Sequence, residues 1–222
     1  MAKRAPQMTD AHAVVVLAAG GSTRLGQPKQ LLTRQGEALV HRVARLALEL
    51  APAQVLVVVG ANAQAVTSSI AGLDATPVAN HHWERGLASS LQVAGAHLLP
   101  TASAVMVVAC DQPAIEHSHL QALLSGARVS ASGCAGTHHG NALGVPAVVP
   151  RVWFTSAGAT GDRGFGARLR QLPADTMHVL QAPELGLDID TPEDLARARC
   201  LGWIDAGVES HDHGANARRA GD

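Results

Sequence analysis

The 222-residue chain contains no tyrosine, and aromatic residues of all kinds make up 2% of it. Proteins that hold single-stranded nucleic acid stack bases on aromatic rings, so no such platform is expected. Nor is there a surplus of positive charge: 17 Lys and Arg stand against 18 Asp and Glu, for a formal net charge of −1. A long polyanion needs a basic face, and nucleic acid is set aside as a partner on both counts. Cysteine is scarce. Cys110, Cys134 and Cys200 form no C-x-x-C pair, so neither a disulfide framework nor a structural zinc site is expected, and a reducing compartment fits. Long apolar runs are missing too. Ala13–Ala19 is short and ends in Gly20-Gly21, and Met1–His12 carries Lys3 and Arg4 with no apolar stretch of signal length behind them. No secretory signal and no membrane span are expected, which points to the cytoplasm.

What the chain does have is aliphatic. Hydrophobic residues make up 47% and charged residues 16%, a composition that buries a core. Ala13–Ala19, Gln54–Val59 and Ala104–Ala109 are continuous and Val-rich, which suits strands buried on both faces. Helical spacing recurs over Ala38–Leu50, Gly86–Leu99 and Glu116–Ala127. Strand–helix–strand repetition predicts an α/β fold with a mainly parallel sheet and helices on both faces. Val129–Ala135, Leu143–Val149 and Thr176–Gln181 are further strand candidates. Thr191-Pro192-Glu193-Asp194 reads as a helix start, with a cap, a proline and acids in the first turn, and that helix should run to about Trp203. No internal linker stands out, so one domain over 1–204 is expected, followed by a Gly-, His- and Asp-rich tail, 205–222, read as disordered.

In an open parallel sheet, ligands bind beyond the carboxyl ends of the strands. Residues 17–29, L-A-A-G-G-S-T-R-L-G-Q-P-K, run from a buried strand into such a position. Glycines let backbone N–H groups approach a phosphate, and Arg24 and Lys29 add charge to the same loop. The chemistry implied is a held triphosphate. The Walker pattern does not fit, because Gln27-Pro28 separates Gly26 from Lys29, and the dinucleotide fingerprint G-x-G-x-x-G is absent. Pro28 disfavours a helix starting at Gly26, so the loop should wrap phosphates in irregular backbone.

Two acidic segments fall at the same end of the sheet. Asp111 follows the strand Ala104–Ala109 and precedes Gln112-Pro113, well placed to hold Mg²⁺ against nucleotide phosphates. In Asp188-Ile189-Asp190, extended alternation puts both carboxylates on one side. A plain turn residue is the alternative for Asp111, and an ordinary acid at a helix start is the alternative for Asp190. Asn80 to Leu91, N-H-H-W-E-R-G-L-A-S-S-L, opens a helix with small residues and two serines, a place for an anion or simply a Ser cap.

The string A-A-G-x-S-x-R-x-G-x-x-K-Q-L-L, Ala18 to Leu32, resembles the signature of the molybdopterin nucleotidyltransferases, and within them most the molybdenum cofactor cytidylyltransferases. The resemblance extends over roughly residues 13–200. It implies a three-layer Rossmann-like fold with a mainly parallel sheet of about seven strands. It implies nucleotide contacts from Ala18, Ala19, Gly20, Gly21, Arg24 and Lys29, with Asn80, Gly86, Ser89 and Ser90 near the base or ribose and Trp83 shaping that pocket. It implies Asp111 and, in preference to Asp188, Asp190 as ligands of Mg²⁺. Thr137–Asn141 and Gly144-Val145-Pro146 resemble the segment that faces the acceptor. Gly161-Asp162-Arg163-Gly164 and Ala167-Arg168 resemble a G-D-x-G-A-R stretch interrupted by Phe165-Gly166, leaving Arg168 open to a phosphate, the pterin or solvent.

The activity so implied is transfer of CMP from CTP to molybdopterin, with Arg24, Lys29 and Asp111 as the catalytic set and pyrophosphate released. Ala18-Ala19-Gly20-Gly21 matches the CTP branch, while the preceding Leu17 is shared with the GTP branch. A guanylyltransferase or a sugar- or alcohol-phosphate nucleotidyltransferase would use the same loop. A non-catalytic chaperone delivering cofactor to a molybdenum hydroxylase apoenzyme is a further reading, and a dinucleotide-dependent oxidoreductase loses its main support with the missing fingerprint. The His pairs at 81/82, 138/139 and 211/213 do not suit one metal ion, because adjacent side chains on a strand point apart. Cys110 reads as a buried small residue, not a nucleophile.

Overall fold

The computed structural model describes residues 11–139, 142–155 and 164–206. The expected tail beyond Ala206, Gly161-Asp162-Arg163, Gly140-Asn141, His211 and His213 lie outside the described residues. A seven-stranded sheet forms the centre. Its strands are β1 (His12–Ala18), β4 (Gln54–Val59), β5 (Thr76–Ala79), β6 (Ala104–Ala109), β7 (Ala135–His139), β8 (Ala142–Pro150) and β9 (His178–Gln181). A hairpin of β2 (Thr33–Arg34) and β3 (Glu37–Ala38) stands apart from it. The helices are α1 (Leu39–Leu48), α2 (Ala63–Ser69), α3 (Leu87–His97), α4 (His117–Val129), α5 (Val152–Thr155), α6 (Gly166–Leu169) and α7 (Pro192–Cys200).

The strand order is β5-β4-β1-β6-β8-β7-β9. β1 pairs in parallel with β4 and with β6, β4 with β5, and β7 with β9. β8 alone runs against its neighbours β6 and β7. The sheet is therefore mostly parallel, as the continuous apolar runs predict. Those runs are apolar because both faces are covered. Val14 and Val16 of β1 face a core closed by α1, α2 and α4, while Ala13 and Val15 face one closed by α3. Beyond β6, α5 and α6 cover a third cluster built on Val107, Ala147 and Val149.

From β1 the chain first moves outward to β4 and β5, then crosses back to β6 on the other side. β1 and β6 are thus neighbours from which the chain leaves in opposite directions, the place where an α/β sheet opens a crevice at its carboxyl edge. The glycine loop leaves β1 there, and Asp111 leaves β6 there.

Several expectations need correction. Val129–Ala135 is not a strand: α4 continues to Val129, a turn follows, and β7 starts only at Ala135. Leu120, Leu123, Leu124 and Ala127 carry the buried stripe of α4 to its last turn, and the β-branched Val129 ends it in solvent, 86% exposed. The last helix stops at Cys200, short of Trp203. Asp205, placed in the tail, is fastened: its carboxylate accepts from Gln35 N and Gly36 N, and its own N–H donates to Thr33 O.

Candidate functional site

The loop after β1 is irregular, as Pro28 requires. Ser22 sits at φ 52° and Gly26 at φ 76°, and Ser22 O accepts from Leu25 N and Gly26 N, so the chain doubles back within five residues. Ser22 Oγ accepts from Lys29 N at 3.2 Å and closes the turn. Gln30, 1% exposed, lies beneath: its Nε2 donates to Ala18 O at 3.1 Å and Gly20 O at 2.7 Å. With those carbonyls turned to Gln30, the N–H groups of Gly20 to Arg24 donate to no acceptor among the described residues. Successive free N–H groups in such a turn form a concavity for an anion. Two glycines allow the close packing around it. A Cβ at Gly60 would stand 2.4 Å from Ala19 O, and one at Gly21 would stand 2.8 Å from the Trp83 ring.

Opposite the loop, Cys110 N donates to Leu17 O and Asp111 O accepts from Ile189 N at 3.0 Å. That last bond seats the extended segment 188–190 against the end of β6. Ile189 is fully buried in a small core with Leu25, Leu32, Leu39 and Leu195, which turns its two acidic neighbours toward the cleft. Thr191 then caps α7. Its Oγ1 accepts from Asp194 N while Asp194 Oδ2 accepts from Thr191 N and Asp190 N, so one capping box fixes both the helix and the approach to it.

The charged groups meet between these walls. Lys29 Nζ lies 2.6 Å from Asp111 Oδ2 and 2.6 Å from Asp190 Oδ1. Arg24 Nη2 donates to the other oxygen, Asp190 Oδ2, at 2.8 Å. Burial works to discharge Lys29, but the carboxylates of Asp111 and then Asp190 more than offset it and hold the ammonium charged well above the ordinary lysine range. Burial opposes the charge on Asp190 as well, yet Lys29 and Arg24 keep its carboxyl below the usual value. Asp188 opens into the cleft without a cation of its own. The desolvating walls, then the charges of Asp111 and Asp190, push its carboxyl up to about 6 against the help of Gln112. Burial, with Asp111 beside it, pushes the Cys110 thiol up and keeps it protonated, as its reading as an inert residue requires.

The cleft has a volume of about 310 Å³. Of the residues expected at the nucleotide, Ala18, Ala19, Gly20, Lys29, Gly86 and Ser90 line it, together with the expected metal ligand Asp111 and with Trp83 and Asp188. Gly21 packs on Trp83, and Arg24 reaches the group through Asp190. Asn80 and Ser89 are placed elsewhere. Asn80 is buried, with Nδ2 donating to Ser89 Oγ and Ser90 Oγ and Oδ1 accepting from His82 N. Ser89 Oγ in turn meets His82 O and Gly86 O. These two residues brace the turn at Gly86, φ 85°, and so set Ser90. Arg168 packs over the Trp153 ring at 4.0 Å and lines neither this cleft nor the cavity beside it.

That second cavity, about 200 Å³, shares Leu87 and Val145 with the cleft and is otherwise walled by Leu91, Val107, Ala147, Phe165 and Leu169. Gln30 and Gln112 had no role assigned from the sequence. Gln112 is buried, and its Nε2 donates to Val145 O and Leu185 O, tying β8 and the 183–186 turn to Asp111. A buried glutamine beside a charged motif residue is the signal that marks both.

A divalent cation suits the donor chemistry here, since Asp111, Asp188 and Asp190 supply hard carboxylate oxygens and Asp111 Oδ1 is buried with no hydrogen-bond partner. The groups are not assembled around such an ion, and among the described residues no cluster of three or more His, Cys, Asp or Glu stands ready to hold one.

A family model described as MobA-like NTP transferase domain matches residues 14–177. The nicotine blue oxidoreductase of Paenarthrobacter nicotinovorans is 34% identical over 195 residues, covering 82% of this chain and 94% of that protein. The crystal structure of a homologue of Mycobacterium tuberculosis Rv0371c, from Mycobacterium sp. strain JC1, is 31% identical with a TM-score of 0.69, covering 87% of this chain and 97% of that one. A nucleotidyl transferase from Methanothermobacter superposes with a TM-score of 0.74 at 21% identity, over 87% of this chain and 98% of that one, and shares the fold.

Proposed function

The chain belongs to the MobA-like NTP transferase family, and from that premise we propose that it transfers CMP from CTP to molybdopterin and releases pyrophosphate. The observation that carries the reading is the meeting of the anion-binding loop with Lys29, Asp111 and Asp190 at one end of the sheet. The free N–H groups of Gly20 to Arg24 receive the triphosphate, and Lys29 and Arg24 lie within reach of its charge. Trp83, Gly86 and Ser90 form the wall for ribose and base. Asp111 and Asp190, with Asp188 beside them, hold Mg²⁺, which when bound neutralises phosphate charge. The acceptor's phosphate oxygen attacks the α-phosphorus in line, a new P–O bond forms, and the α–β bond breaks with its electrons leaving on pyrophosphate. The protein's part is positioning and fixed charge, with no covalent intermediate. The acceptor enters past Val145, from the side of the second cavity. The enzyme works in the cytoplasm and hands its product to a molybdenum hydroxylase apoenzyme.

The test is pyrophosphate release with molybdopterin and either CTP or GTP, with Mg²⁺ or Mn²⁺, and mass identification of the dinucleotide. Release with CTP supports the reading. Release with GTP alone keeps the chemistry and moves the base, and no release with either nucleotide overturns it.

The 34% identity with a protein named an oxidoreductase favours a second reading. In it the same loop holds a nicotinamide nucleotide through its pyrophosphate, and the aliphatic cavity beside the cleft takes a ring to be reduced. Oxidation of NADPH or NADH by an added quinonoid dye, without pyrophosphate release, would select that reading.

A further inference from the structure

We propose that Lys29 occupies the metal position of the nucleotide-free protein, so that the site takes its divalent cation as the nucleotide chelate and not as the free ion. This rests on the nucleotidyl-transfer reading. Three observations carry it. The Lys29 ammonium stands between the two carboxylates that would share a cation, 2.6 Å from each, and its side chain is only 14% exposed. Both oxygens of Asp190 are engaged, one by Lys29 and one by Arg24. Asp111 keeps one oxygen, Oδ1, buried with no partner.

A free dication arriving here would have to expel the ammonium. Among the described residues the cleft offers Lys29 no further anion except Asp188, which lies in the same group. The ammonium would then stand next to the dication, and like charges at that range repel strongly in a partly desolvated site. A cation chelated by a triphosphate brings the missing anion with it. Lys29 swings from the carboxylates to the phosphates, the carboxylates turn to the cation, and every charge keeps a partner. The orphaned Asp111 oxygen is the point at which that exchange begins.

The consequence is a reversal of sign that a merely structural lysine would not produce. Removing the Lys29 charge should tighten binding of the free cation and weaken binding of the chelate. The measurement is uptake by the full chain, as wild type, Lys29→Met and Lys29→Gln, of free Mn²⁺, read as loss of the free-ion EPR signal, and of the manganese–CTP complex, read by equilibrium dialysis with labelled CTP. Gln keeps a hydrogen-bond donor between the carboxylates should Met fail to fold, and circular dichroism checks both. Without nucleotide, the variants should bind Mn²⁺ at least about tenfold more tightly than wild type. With nucleotide, the order should invert. Equal affinity for free Mn²⁺ in wild type and variants, or no uptake by any of them, overturns the proposal. If neither variant folds, the wild type decides: uptake of free Mn²⁺ at the concentrations where the chelate binds overturns it, and uptake of the chelate alone upholds it. The pyrophosphate assay tests the underlying reading separately, since the sign reversal can hold in a protein that transfers nothing.

Discussion

At the scale of single residues, the site is a balance of charge in a small space. Lys29 links the two acidic segments, and under the proposed mechanism its loss would remove the group that meets charge gathering on the phosphates. Lys29→Ala is expected to lower kcat by roughly 10²–10³ with an unchanged circular dichroism spectrum, the size of effect seen when one fixed donor to a transition state is removed. Near-normal turnover would remove Lys29 from the catalytic set. Gly60 makes a different kind of contribution. A methyl group there meets Ala19 O at 2.4 Å, and both are backbone-defined positions that cannot swing aside. Gly60→Ala should push the phosphate loop out of shape, costing about 1–3 kcal/mol of stability in urea unfolding and weakening nucleotide binding in calorimetry. Of these two residues only Lys29 is visible in the sequence, because its loop has a recognisable spacing. Gly60 follows β4 like any glycine after a strand, and its importance comes from a neighbour some forty residues away in the chain.

At the scale of elements, two local devices hold the site's late half in place. The Thr191–Asp194 box starts α7 and also binds Asp190 N. Thr191→Ala is expected to cost about 1 kcal/mol in urea unfolding and to loosen Asp190, raising KM for the nucleotide complex more than a simple helix cap would. On the other flank, the turn and helix after the phosphate loop carry the Glu37–Arg45 pair, with Arg45 Nε and Nη2 each 2.9 Å from a carboxylate oxygen. Those bonds, opposed by partial burial and aided by His41, bring the Glu37 carboxyl down to about 2 from the ordinary 4.5. A carboxyl held below its unfolded value stabilises the fold above pH 4.5, and that contribution is lost as pH falls through about 2. Glu37→Gln should therefore flatten the acid decline of stability across that window, measured as the urea midpoint against pH. The helix start at Thr191 was legible because cap, proline and acids coincide within four residues. The α4–β7 boundary was not, since Val129 has the side chain of a strand residue and the exposure of a helix end. β5 escaped notice for a related reason: it is a short edge strand containing Pro77, and only Val78 is buried. The reversed β8 could not be read at all, because direction is set by pairing partners and not by composition.

At the scale of the whole molecule, the crevice between β1 and β6 follows from strand order. The alternation of apolar runs and helices foretold a mainly parallel sheet but not the order of its strands, and the three segments expected at its carboxyl edge meet there. The exceptions, Asn80 and Ser89, sit one layer behind the cleft wall, a distinction that spacing along a chain does not encode. Ligand binding at such a seam should hold the two halves of the sheet's open edge together. At about a hundredfold excess over Kd, a magnesium–nucleotide complex is expected to add about 2.7 kcal/mol, a rise in melting temperature of roughly 5–10 °C. Chelating the metal should abolish most of that rise in a thermal melt, and an unchanged rise would show that binding does not depend on the cation.

The ion pair between Lys29 and Asp190 spans 161 residues of chain. On the ribosome, where synthesis runs at roughly 5–20 residues per second, about ten to thirty seconds separate the appearance of the lysine from that of its second carboxylate. Through that interval the nascent protein carries a phosphate loop whose acidic counterpart is incomplete. A chain stalled before Asp190 would own the grip without the clasp, so nucleotide retention would serve as a readout that translation has passed that residue.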